Sequence, residues 1–128
     1  MKKINLASKL ILLKLWGLAE ENGGHYKLNN NETYIPLSIE ILEKDIISIC
    51  HYGEQNGDLM RDPEMLFWKD KNGDYFPYYF CNDYIGHEEI IGEPIGRILK
   101  ITNAKKQRYQ VEFADIWLKN IKHQQFND

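Results

Sequence analysis

Apolar residues almost encircle the first helical stretch of this chain, Leu6 to Asn22. Leu10, Ile11, Leu12, Leu13, Leu15, Trp16 and Leu18 leave it little wet face, so it packs on more than one side. Asn5 or Ser8 can cap its start, and Gly23-Gly24 supplies a left-handed stop. The helix either packs centrally or leaves Leu12 and Trp16 for a partner. The pattern then changes period. A short "HYKL" strand and an "NNNE" turn lead into "TYIPLSIEIL", whose alternation places Ile35, Leu37, Ile39 and Ile41 on one face. Pro36 marks an edge strand or limits pairing near the strand's beginning. "EKD" turns the chain into the next strand, "DIISICHY".

The segment "MLFWKDKNGDYFPYYFC" predicts a hairpin about Asn72-Gly73, because a two-residue turn of that kind needs positive φ at both positions. The implied register sets Phe67 opposite Tyr78 and Met65 opposite Phe80. One face then carries Met65, Phe67, Phe76, Tyr78 and Phe80. The other carries Leu66, Trp68, Pro77, Tyr79 and Cys81. Both faces are apolar, so something covers both or one of them binds a partner. "HEEIIGEPIGRILKI" reads as one or two strands broken at Gly92 and Pro94. A closing helix spans about Asn103 to Gln124, with Tyr109, Phe113, Ile116, Trp117 and Ile121 as its buried stripe. Lys105, Arg108, Glu112, Asp115, Lys119 and Lys122 form its wet face, where Arg108/Glu112 and Asp115/Lys119 have ion-pair spacing. The pattern as a whole predicts a single α+β domain over residues 1–128, an antiparallel sheet of four to six strands packed with an N-terminal and a C-terminal helix.

Composition narrows the functional classes. The 128 residues carry a formal net charge of −3, which disfavours a general nucleic-acid binder. The N-terminal apolar run is interrupted by Lys9 and Lys14 and is too short for a bilayer, so the chain reads as cytoplasmic, with no membrane partner. Cys50 and Cys81, the two cysteines, read as free small hydrophobes in strands. His25, His51, His87 and His123 are dispersed without a metal-ligand spacing. No phosphate-binding glycine motif is present, and no cofactor is expected.

One stretch stands out: "GEQNGDLMRDPEM", Gly53 to Met65. Glu54, Asp58, Asp62 and Glu64 are hard oxygen donors of the kind a divalent cation prefers, though they match neither an EF-hand nor a completed nuclease pattern. Three readings follow for this loop: turn chemistry, an acidic partner surface, or a metal-assisted hydrolase with His51 as base. As a partner surface it comprises Glu54, Asn56, Asp58, Asp62 and Glu64, with Tyr52, Trp68 and Tyr79 as aromatic anchors. The apolar hairpin face also allows a homodimer.

The run "HYGEQNGDLMRDPEM" with the later "FPYYFCNDYIG" resembles an uncharacterised family of short proteins from plasmids, conjugative elements and phages. Those proteins share an E-Q-N-G-D-L-M-x-D-P-E-M-like segment, matched here by Glu54 to Asp58, Leu59, Met60 and Asp62 to Met65. A later N-D-aromatic-x-G segment is matched by Asn82, Asp83, Tyr84 and Gly86. "FADIWLKNIKHQQF" is similar to the family's closing helix. Leu66 and Trp68 are more apolar than that pattern, which implies that something covers the outer hairpin face. The resemblance implies a small mobile-element protein that binds and modulates or inhibits another protein, as counter-defence and immunity proteins do, with no catalysis of its own.

Overall fold

The computed structural model describes residues 1–126; residues 127 and 128 of the expected domain lie outside them. Helix α1 (Leu6–Glu21) is followed by six strands: β1 (His25–Leu28), β2 (Leu37–Glu43), β3 (Ile46–Gln55), β4 (Asp58–Lys69), β5 (Tyr75–Asn82) and β6 (His87–Ile90). They form one antiparallel sheet in chain order, β1-β2-β3-β4-β5-β6. A 3-10 turn, Asp83–Ile85, joins the last two. Strands β7 (Gly92–Ile95) and β8 (Ile98–Ile101) make a separate two-stranded hairpin, and helix α2 (Ala104–Phe126) closes the chain. The fold is the expected α+β arrangement with both terminal helices.

Period-two alternation divides the sheet into two cores. Leu37, Ile39, Ile47, Ile49, Met65 and Phe67 face the helices and are fully buried against Leu12, Leu15, Ala114, Leu118 and Ile121. The opposite face carries Ile46, Trp68, Phe76, Tyr78 and Tyr79, covered by Leu99 of β8 and by Ile91, which stands just before β7. The second apolar face therefore has its cover within the same chain. Among the described residues no helix is long and apolar enough to cross a membrane.

Asn5 caps α1 by accepting from Ser8 N at 2.8 Å, and Gly24 N–H closes its other end on Ala19 O. Leu12 and Trp16 are buried, while the exposed apolar residues of α1 are Leu6, Leu10 and Leu13. Pro36 stands just before β2, which begins at Leu37 and pairs on both sides. Pro36 thus limits the strand's start, and Ile35 is exposed.

Three expectations are corrected. The turn after β4 is a three-residue loop, not a two-residue one. Asp70 Oδ1 accepts from Asn72 N and Asp74 N at 2.9 Å, and Gly73 alone takes positive φ. This loop pairs Lys69 with Tyr75 and Phe67 with Pro77; a bulge then restores Met65 opposite Phe80. Phe76 and Tyr78 accordingly lie in the second core with Trp68 rather than beside Phe67. The segment after residue 86 holds three strands, with Pro94 inside β7 opposite Leu99.

The third correction concerns α2, which is rotated from the expected stripe. Tyr109, Phe113 and Ile116 are exposed, whereas Gln107, Gln110 and Gln125 are buried. Gln107 explains how an amide holds an inside position. It accepts from Lys2 N at 2.8 Å and donates to Lys2 O at 2.7 Å and Pro77 O at 3.2 Å. Gln125 similarly accepts from Asn30 N at 2.9 Å. Asp115 leaves the wet face to accept from Ser8 Oγ at 2.6 Å, tying α2 to α1. Buried amides that meet backbone groups in this way tie elements together where a hydrophobicity pattern scores them as wet.

Gly92 sets how closely the β7–β8 hairpin approaches the sheet. A Cβ there would stand 2.7 Å from Tyr78 Cβ, with Leu99 and Ile101 behind it. Gly92→Ala should therefore push the hairpin off the second core and destabilise the protein by roughly 1–3 kcal/mol. Urea denaturation followed by Trp fluorescence, with Trp68 in that core, measures the loss.

Candidate functional site

The Gly53–Met65 stretch is not a loop between strands. It is the far end of the β3–β4 hairpin, turning at Asn56-Gly57 with φ of 53° and 85°. Both central residues have positive φ, the requirement of the tight hairpin turn that "NG" signals. The pairing of β2 with β3 stops at Leu37–His51, and that of β5 with β4 at Glu64–Cys81. From Tyr52 to Arg61, then, the two strands pair with each other and form an arm projecting past the sheet.

A two-stranded ribbon is marginal in water by itself, and this one is held at its base. Arg61, a residue that the sequence reading passed over, donates from Nε and its second guanidinium nitrogen to the two carboxylate oxygens of Asp83, both at 2.9 Å. Its backbone N–H reaches the same carboxylate at 2.8 Å. The guanidinium also donates to Tyr79 Oη at 3.2 Å and lies 3.6 Å from Glu64. Glu64 accepts from Ser48 Oγ at 2.6 Å, and Tyr79 Oη donates to Glu88 at 2.6 Å. Asn82 Nδ2 donates to Asp62 at 2.8 Å, while its oxygen caps the 3-10 turn at Tyr84 N. Tyr84 then lies across the arm, its hydroxyl donating to Glu54 O at 3.4 Å. A Cβ on Gly53 would collide with that hydroxyl, so glycine is what lets the ring sit there. The two stretches that the sequence singled out, 53–65 and 82–86, meet as one clamp.

The eight expected partner-surface residues fall into three groups. Tyr52, Glu54, Asn56 and Asp58 are exposed on the arm. Asp62 and Glu64 are half-buried and already accept from Asn82 and Ser48. Trp68 is 6% exposed and Tyr79 9%, both inside the second core, so neither ring is presented at the surface. Exposed apolar residues that the sequence reading did not select stand on the arm and its clamp: Leu59 is 71% exposed, Ile85 73% and Tyr84 43%. Leu59 sits inside an apparent acidic loop, and its exposure follows from the hairpin register that pairs it with Glu54.

The acids do not converge. Among the described residues no three His, Cys, Asp or Glu side chains are placed to hold one metal ion. His51 is unsuited to act as a base. Burial lowers its pKa, and Nδ1 accepts from Trp117 Nε1 at 3.3 Å, so the lone pair of a neutral ring is occupied and Nε2 carries the proton. Cys50 and Cys81 are free and buried on either side of Glu64. Burial first, then the Glu64 carboxylate, pushes the Cys50 thiol up to about 12. Burial raises Cys81 as well. Both remain protonated thiols at neutral pH, not nucleophiles.

Hydrogen bonds from the Arg61 side chain, then from its backbone N–H, hold Asp83 down to about 2. That is below the ordinary 3.8, so the pair's contribution is present above pH 4 and fades as pH falls from about 4 to about 2. Asp83→Asn should cost roughly 1–2 kcal/mol at pH 7, allowing for the partial exposure of the pair. The difference from wild type should shrink as pH falls from about 4 through about 2, measured by urea titration at each pH.

The chain belongs to the family described as a domain of unknown function, DUF6908, whose model matches residues 8–127. No curated protein and no solved structure matches the chain.

Proposed function

We propose that this member of the family is a binding protein without catalysis of its own, and that the β3–β4 arm is the element it presents to a protein partner. The observation that carries the reading is the arm itself. A ribbon projecting past its sheet, clamped at the base by Arg61–Asp83, carries Leu59 outward, and the adjoining 3-10 turn of the clamp exposes Ile85 beside it. Exposed apolar side chains on a stiff support lose little freedom on binding, which favours affinity. Glu54 and Asp58 beside them would steer encounter with a basic surface.

The clamp also accounts for much of the polar chemistry that first suggested an active site. Asp62, Glu64 and Asp83 are committed to Asn82, Ser48 and Arg61. What remains for a partner is the outer surface of the arm. The sequence resemblance supports a role in the cytoplasm for a bacterial mobile element, where the bound protein would belong to a host or competing system and be modulated or inhibited.

Tagged wild type and Leu59→Ser/Ile85→Ser, purified through bacterial lysate and compared by quantitative mass spectrometry, test this reading. A stoichiometric partner should be lost with the double variant, by at least about 10-fold, as removal of interface anchors predicts. Its melting temperature should stay close to wild type, because exposed positions contribute little to folding. A partner retained in full by the folded double variant would exclude the arm as the binding surface.

A further inference from the structure

A second, smaller site lies between α2 and β6, the last strand of the sheet. It is a notch of about 210 Å³ lined by Phe80, His87, Glu89, Tyr109, Gln110 and Phe113. The rings of Phe80 and Phe113 meet nearly at right angles, 81° at 5.2 Å between centroids, and form a corner. His87 packs against Phe80 at 5.8 Å between ring centroids, and Tyr109 stands one helical turn before Phe113.

Two acceptors stand at this aromatic corner. The Glu89 side chain is 17% exposed, and its carboxylate takes a hydrogen bond from Gln110 Nε2 at 3.1 Å. Its nearest basic group is His87 Nε2 at 3.6 Å. Among the described residues no Lys or Arg comes within 4.0 Å of it. Gln110 is 3% exposed, and its Oε1 is buried with no hydrogen-bond partner. A mostly desolvated carboxylate and an unpaired amide oxygen both call for a donor. Aromatic faces beside them favour a positive charge.

We propose that this notch binds the guanidinium or primary ammonium head of an Arg or Lys side chain presented by a protein partner. Such a head donates to the Glu89 carboxylate while its charge rests against the rings of Phe80 and Phe113. The volume is below that of an ordinary small-molecule pocket, which favours one side-chain head over a whole free ligand. Glu54, Asp58 and Leu59 take no part in the notch, so the inference does not depend on the arm.

The experiment is an NMR titration of the full-length ¹⁵N-labelled chain with blocked Ala-X-Ala tripeptides in which X is arginine, lysine or citrulline, with methylguanidinium as the free cation. The Arg or Lys peptide should shift the Gln110 side-chain amide signals saturably by about 20 mM, the weak range of a single side-chain contact. Citrulline, which keeps the shape and loses the charge, should not. Glu89→Gln retains an acceptor for Gln110 and should weaken binding about 5-fold or more in a folded protein. Phe113→Leu should weaken it independently. No saturable shift, an equal response to citrulline, or unchanged affinity in Glu89→Gln would overturn the proposal. Methylguanidinium, the head alone, should compete with the Arg peptide for the same signals, and its failure to do so would overturn the head as the contacting group.

Discussion

A sheet that is apolar on both faces must be covered on both, and most of this structure follows from that constraint. Helices α1 and α2 cover one face over Ile39, Ile47, Ile49, Met65 and Phe67. The other has no helix. It is covered by the β7–β8 segment, which brings Ile91 and Leu99 onto Trp68, Phe76 and Tyr78. Because a hairpin covers less area than a helix pair, that second core is the smaller one. Its closeness rests on the missing side chain of Gly92. The buried amides Gln107 and Gln125 then fix α2 to the N-terminal segment and the loop after β1. They supply direction where apolar contact alone supplies none.

Beyond the reach of either cover, the β3–β4 ribbon must find its support in polar contacts. Arg61 provides most of it by reaching Asp83 three times, Tyr79 once and the edge of Glu64. Charged hydrogen bonds of this geometry are among the stronger polar contacts in proteins. They are also half-exposed, so they stiffen the arm without sealing it from water. Acidic residues that look like a catalytic cluster in one dimension are separated in three: Asp62 and Glu64 are held by Asn82 and Ser48, while Glu54 and Asp58 stand exposed on the arm.

The sequence made the sheet and the terminal helices legible because alternation at Leu37–Ile41 and helical spacing in 6–22 are strong signals. It misplaced the arm because "NG" occurs twice. Asn72-Gly73 was read as the tight turn, while Asn56-Gly57 is the one with two positive φ values. Asp70 decided the difference by accepting from two backbone amides and opening the first candidate into a wider loop. The α2 stripe was misread for a related reason. Glutamines whose amides meet backbone groups distant in sequence belong inside, and no local pattern reveals those partners. The acidic stretch stands out in the sequence, but the residue that organises its base is Arg61, a lone cation among acids. Its meaning depends on Asp83, 22 positions away.

The order of elements bears on how the chain is made. Among the described residues all eight strands precede α2, and the strands of the main sheet pair with their sequence neighbours, so the sheet can assemble as synthesis proceeds. Ala114, Leu118 and Ile121, which complete the helix-facing core, come after every strand. Gln107 must also find Lys2, 105 positions upstream. A nascent chain therefore holds a nearly finished sheet with one apolar face half bare until α2 emerges. That interval is when chaperones and aggregation compete for the molecule.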